Sequence, residues 1–143
     1  PLYSSAASDV YKRQGMQFVP GAVDEWLDCG NYAATVFTNQ RVLVNKAQQF
    51  AGSAARFDET VTIHEPCFIG DGVSLKNCVV GPHTSIGNNS KLENCNISNS
   101  IIQEQCHLSH FNCHDSLIGN HVVVKGNNAS SAEYSLGDFS SIG

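Results

Sequence analysis

Charge is scarce in this chain. Only 15% of its 143 residues are Asp, Glu, Lys or Arg, and the formal net charge is -5. A sparsely charged, acidic chain lacks the basic surface that nucleic acid or an anionic membrane requires, so neither is an expected partner. No apolar run approaches the roughly 18 residues of a membrane span, and no segment passes from positive to apolar in the manner of a secretory signal. Close cysteine pairs are missing too: Cys29, Cys67, Cys78, Cys95, Cys106 and Cys113 include no CxxC, the spacing by which zinc sites normally announce themselves. Free thiols in a reducing cytoplasm are the expectation. At 41% hydrophobic the composition is that of one globular domain or a piece of a larger protein.

What the sequence has instead is a period. From Ile63 to Ile142 it reads I-HEPCF, I-GDGVS, L-KNCV, V-GPHTS, I-GNNSK, L-ENCN and onward. An apolar residue, usually aliphatic, recurs every five or six positions, with Gly, Asn, Ser, Asp and His between. A helix would send positions six apart to roughly opposite faces, and a long flat strand would be apolar at every second position. Short extended pieces joined by tight turns remain, which is a solenoid. The expected fold class is mainly β, a parallel β-helix over residues 59–143, preceded by a short strand-turn-strand and one α-helix.

Three pieces make one coil, with starts at 63, 69 and 75, then 80, 86 and 92, then 97, 102 and 108, then 113, 118 and 124. Stacking puts Ile63, Val80, Ile97 and Cys113 on one edge, Ile69, Ile86, Ile102 and Ile118 on the second, and Leu75, Leu92, Leu108 and Val124 on the third. Four residues past a start stand Cys67, Val73, Thr84, Ser90, Cys106 and Val122, small interior fillers among which free cysteine packs well. Asn77-Cys78 and Asn94-Cys95 recur one coil apart, as a ladder of like residues requires. Asn88, Asn89, Asn94, Asn96, Asn127 and Asn128 read as corner residues, because Asn tolerates left-handed φ. Asp71, Asp115 and Asp138 read as turn acids bonded to their own backbone. Between Val124 and Leu136 the repeat breaks, with Ser130 where an aliphatic is due, so a loop or irregular coil is expected there.

Ahead of the coils, residues 1–14 (PLYSSAASDVYKRQ) fit nothing downstream and read as a non-native scar or a disordered tail. Residues 15–30 carry two short apolar runs around Pro20-Gly21, the pattern of strand, turn, strand. Asn31 stands where an N-cap belongs, and a helix is expected from Tyr32 to Ala47. A Gly/Ala/Ser connector, Ala51 to Asp58, leads into the repeat.

The segment EWLDCGN at 25–31, followed by a helix, a connector and hexapeptide coils, resembles the C-terminal part of sugar-1-phosphate nucleotidylyltransferases, the glucose-1-phosphate thymidylyltransferase group in particular. In that family a W-L-D-x-G segment closes the catalytic domain, a helix follows, and a left-handed parallel β-helix completes the chain. Trp26, Leu27, Asp28 and Gly30 match, while Cys29 and Asn31 replace the threonines common in the best-known members. The resemblance covers residues 15–143. It implies left-handed coils, against a general rule that makes parallel crossovers right-handed in about 98% of cases. It implies that residues 15–58 are the tail of a catalytic domain and residues 59–143 the β-helix.

The resemblance also implies chemistry. In the intact enzymes the Asp at the position of Asp28 is one of two carboxylates holding magnesium against the nucleotide phosphates, where the cation eases in-line attack by a sugar 1-phosphate. The products are an NDP-sugar, expected to be dTDP-glucose, and pyrophosphate. The family's GxGTRL-type nucleotide loop and second acidic ligand do not occur in this sequence. The chain is thus expected to hold no complete catalytic set and no cofactor of its own, to be inactive alone, and to serve homo-oligomerisation and packing against an N-terminal catalytic domain. The plainer reading of Asp28 is an acid at a strand end, capping or facing solvent.

Six histidines, His64, His83, His107, His110, His114 and His121, keep a freestanding alternative open. Hexapeptide acyltransferases use one histidine as a general base, and γ-class carbonic anhydrases bind zinc with three. In the assigned register His107, His110 and His114 lie at different corners or on turns, and His83 and His121 share a turn position that favours solvent.

Overall fold

The computed structural model describes residues 9–126 and 130–143. From Val61 onward the chain is a parallel β-solenoid whose three faces are three sheets. The first stacks β1 (Val61–Ile63), β4 (Cys78–Val80), β7 (Asn96–Ser98) and β10 (Asn112–His114). The second stacks β2 (Cys67–Ile69), β5 (Thr84–Ile86), β8 (Ile101–Ile102), β11 (Leu117–Ile118) and β13 (Ser135–Leu136). The third stacks β3 (Ser74–Lys76), β6 (Lys91–Glu93), β9 (His107–Ser109), β12 (Val123–Lys125) and β14 (Ser141–Ile142). All pairings are parallel, and their register is the one the period predicts. Ile63 pairs with Val80, Val80 with Ile97 and Ile97 with Cys113. Ile69, Ile86, Ile102 and Ile118 form the second ladder and continue to Leu136. Leu75, Leu92, Leu108 and Val124 form the third and continue to Ile142.

Two or three residues suffice for each strand because the pleat sends alternate side chains in and out, and each face needs one large inward residue. Those residues make a single continuous core that no one coil could enclose alone. The expected small fillers line it: Cys67, Thr84, Ser90, Cys106 and Val122 are buried, and Val73 is half-buried. Buried hydroxyls are matched to the next coil's backbone, as a dry interior demands. Ser90 Oγ accepts the Cys106 amide at 3.1 Å, Ser100 Oγ that of Ser116 at 3.0 Å, and Ser116 Oγ that of Tyr134 at 2.9 Å.

The corners are three columns of left-handed residues. Asn77, Asn94 and His110 form one, with φ of 50°, 54° and 52°; His83, Asn99 and Asp115 the second, with 62°, 41° and 45°. Gly72, Asn89, Gln105, His121 and Phe139 form the third, with φ between 56° and 68°. Asn, Asp and His tolerate this region better than most residues, which explains their abundance in the repeat. Within the columns Asn77 Nδ2 donates to Asn94 Oδ1 at 3.1 Å, and the His121 and Phe139 rings stack at 4.7 Å. Asn88 and Asn96 are not corner residues: Asn88 Oδ1 accepts the Asp71 amide one coil earlier, and Asn96 sits on β7. Asn127 and Asn128 lie outside the described residues. Two turn acids also look across coils instead of to their own backbone. Asp115 accepts from the Asn99 side chain, and Asp138 from the Asn120 amide at 2.7 Å.

The break in the repeat is real, but Ser130 does not fill the vacant position. Ala132 does, through an isolated bridge to Cys113.

Two helices lie over the outside of the second sheet, α1 (Tyr32–Asn45) and the single turn α2 (Ala47–Phe50), followed by a 3-10 turn at Ser53–Arg56. The Asn31 side chain caps α1 by accepting the Ala34 amide at 2.9 Å. Val36 and Leu43 are the buried residues of α1. Asn39 bonds Ser85 Oγ at 2.6 Å and the His83 carbonyl at 3.3 Å, and Phe50 meets Phe68 edge-on at 5.5 Å. The helical path thus breaks at Lys46, short of the Ala47 expected from sequence.

The strand-turn-strand expected around Pro20-Gly21 does not form. Residues 16–30 contain no strand, because a strand needs a ladder partner and this segment has none within the described chain. It runs as an exposed ribbon, tied to α1 by Glu25 and Arg41 at 2.6 Å. Of the expected N-terminal tail, residues 1–8 lie outside the described residues, and residues 9–13 form an exposed helical turn.

Candidate functional site

Asp28 sits at the end of the ribbon, immediately before α1. Its Oδ1 accepts the Gly30 amide at 3.0 Å, an Asx-type turn. A Cβ at position 30 would lie 3.0 Å from Asp28 Oδ2, so glycine leaves room for the carboxylate. The helix holds this loop from behind: Thr38 Oγ1 donates to the Asp28 carbonyl at 2.6 Å, and Thr35 Oγ1 to the Asn31 carbonyl at 2.9 Å. The geometry fixes a carboxylate in the open. Asp28 belongs to no group of three metal-type ligands among the described residues. Along the ribbon that leads to it, Trp26 and Val19 are 85% exposed, with Phe18 and Val23 also largely uncovered.

The histidines scatter, though not all where the register puts them. His83, His110 and His121 occupy three different corners, whereas His107 and His114 stand on β9 and β10; His83 is half-buried, and His64 and His107 are exposed. No trio of histidines comes together within the described chain, so the ligand set of a three-histidine zinc site is not assembled there.

The residues that do converge flank the second corner, near the start of α1. A cleft of about 300 Å³ lies between α1 and the coils, with Tyr32 and Phe37 on one side and Asn99, Asp115 and Glu133 on the other. The Tyr32 hydroxyl donates to the Asp115 carbonyl and lies 3.2 Å from that of Tyr134. Burial pushes this phenol above its usual range, and the nearby Glu133 carboxylate adds to the shift. His114 stands beside the cleft, its Nε2 3.9 Å from Glu133 Oε1. Sequence reasoning named His114 and Asp115 separately but missed Tyr32 and Glu133. The position of Glu133 depends on how the irregular segment rejoins the coils, which the period does not give.

Of the five buried cysteines only Cys78 is lowered, by its hydrogen bond with Cys95, and it is closed to solvent. Burial pushes Cys67 and Cys113 up to about 11, and Cys95 is raised by its hydrogen bond with Cys78 and by burial; reactive thiols sit in exposed electropositive places and are lowered instead. No protein-family model matches this chain, and no curated protein is significantly similar to it.

Proposed function

We propose that this chain is the C-terminal part of a sugar-1-phosphate nucleotidylyltransferase, in which the β-helix, with left-handed coils, provides oligomerisation and domain packing. The reading rests on the resemblance of residues 25–31 and the order of elements that follows. The observation that carries it is the state of the Asp28 loop. That loop is braced by α1 and presents one carboxylate, and the ribbon leading into it exposes Phe18, Val19, Val23 and Trp26, apolar side chains that nothing among the described residues covers. A run of exposed apolar side chains leading to a positioned carboxylate fits a segment that docks against another folded unit.

In this reading the parent enzyme makes an NDP-sugar, dTDP-glucose in the group it resembles, and Asp28 supplies one of the two carboxylates for magnesium. The chain alone is inactive. The test is pyrophosphate release from nucleoside triphosphate and sugar 1-phosphate. The isolated chain is expected to give none, whereas the parent protein is active and loses activity with Asp28→Asn. Turnover by the isolated chain, or a parent protein indifferent to D28N, would overturn the proposal. Trp26, the only tryptophan, gives a second readout: its emission should shift to the blue when the parent domain covers it.

A further inference from the structure

The corner between β10 and β11 gathers metal-type ligands that the nucleotidylyltransferase reading does not use. One ligand atom each from His114, Asp115 and Glu133 lies within 4.8 Å of the others. The backbone itself puts them together. The bridge of Cys113 to Ala132 sets Glu133 opposite His114, while Leu117 pairs with Ser135, so the later coil is one residue shorter here and has no counterpart of Asp115. Glu133 therefore stands over both neighbours.

Two further observations mark the place. Ser131 Oγ lies 3.0 Å from His114 Nδ1, which leaves Nε2 turned toward Glu133, the outer-sphere arrangement that orients a metal-bound imidazole. Asn99, which donates its side-chain amide to Asp115, keeps a buried Oδ1 with no partner among the described residues.

We propose that His114, Asp115 and Glu133 bind one divalent first-row cation, of the zinc or manganese class, as a structural tie between the fourth and fifth coils. One imidazole with two carboxylates suits those ions, whereas calcium and magnesium favour oxygen ligands alone. The place is where a tie is useful. Ala132 joins its neighbours through hydrogen bonds of 3.2 and 3.4 Å, against 2.8 Å for the amides of Gly70, Gly87 and Gly119 in regular coils. The ligands are exposed or half-buried, so the ion enters from solvent and water fills its remaining positions.

The experiment is a cobalt and zinc titration of the chelator-treated chain, followed by calorimetry, absorption and thermal melting. One ion per chain, a raised melting midpoint, and cobalt d-d bands without a thiolate charge-transfer band are expected. H114A and E133Q should each weaken binding about tenfold or more, and H110A should leave it unchanged. Glu133 is exposed, so E133Q keeps the test valid if H114A fails to fold. Absence of saturable binding, retention of affinity in E133Q, or a thiolate band assigning the ion to cysteine would each overturn the proposal. None of these outcomes depends on nucleotidyl transfer.

Discussion

Residues 16–31 and residues 61–126 are both rich in apolar side chains, yet they end in opposite states. In the coils each aliphatic residue meets its counterpart one turn away, so Val80, Ile86, Ile97 and Ile118 lose all contact with water. In the ribbon Phe18, Val19, Val23 and Trp26 have nothing to meet and stay exposed. An apolar pattern becomes an element only where a second surface with the same period is present to receive it. The coils carry that surface within themselves. The ribbon finds none among the described residues.

The largest expected contrast between the two regions is chemical. Cys29, on the ribbon side, is exposed, and the other five cysteines are buried. Burial raises the thiols of Cys67 and Cys113 to about 11. Below that pH they remain protonated, and the thiolate needed for alkylation appears only as pH rises toward it. Cys78 is lowered by its hydrogen bond with Cys95 but is shut off from reagent in the core. Alkylation of the native chain at pH 8 should therefore modify Cys29 alone, with all six reacting after denaturation; mass spectrometry of the digest reads this directly. Early labelling of Cys67 or Cys113 would show that the coils open readily.

Stability should divide along the same line. Ile97→Ala, in the middle of the first-sheet ladder, is expected to cost about 2–5 kcal/mol in chemical denaturation, whereas Val19→Ala stays within about 0.5 kcal/mol. Comparable losses at the two sites would mean that the ribbon is packed in solution. Gly81→Ala should follow at about 1–3 kcal/mol. Gly81 has φ +98°, and a Cβ there would come 2.0 Å from the His64 carbonyl oxygen, so one coil would have to move off the next.

What the sequence made legible follows from the same physics. The register of the twelve ladder positions from Ile63 to Val124 could be read in advance because a solenoid fixes its contacts by period alone, with no distant partner to guess. The N-cap at Asn31 was equally legible, being local chemistry. Residues 16–30 misled because two short apolar runs around a Pro-Gly turn satisfy a strand pair without saying what pairs with it. Ala132 and Glu133 were hidden for a different reason. The excursion after Val124 resets the phase, and only the closing bridge to Cys113 shows where the count resumes. Asp28 was legible as a residue, but the hold of the Thr38 hydroxyl on its backbone carbonyl was not, since Thr38 lies outside the quoted motif.

The smallest expected effect asks whether α1 belongs with the ribbon or with the coils. Asn31→Ala removes the side chain that accepts the Ala34 amide and should cost about 1 kcal/mol. The loss should appear as faster hydrogen exchange in the amides of Tyr32–Asn45, because α1 is held to the coils by two buried side chains, Val36 and Leu43, by the Asn39 contacts and by the Tyr32 hydroxyl. Coil amides such as those of Ile97 and Ile102, each enclosed by neighbours on both sides, should keep their protection. If N31A lowered protection there as well, α1 and the solenoid would unfold as one unit, and the division between the two regions would run before Tyr32 rather than after Asn45.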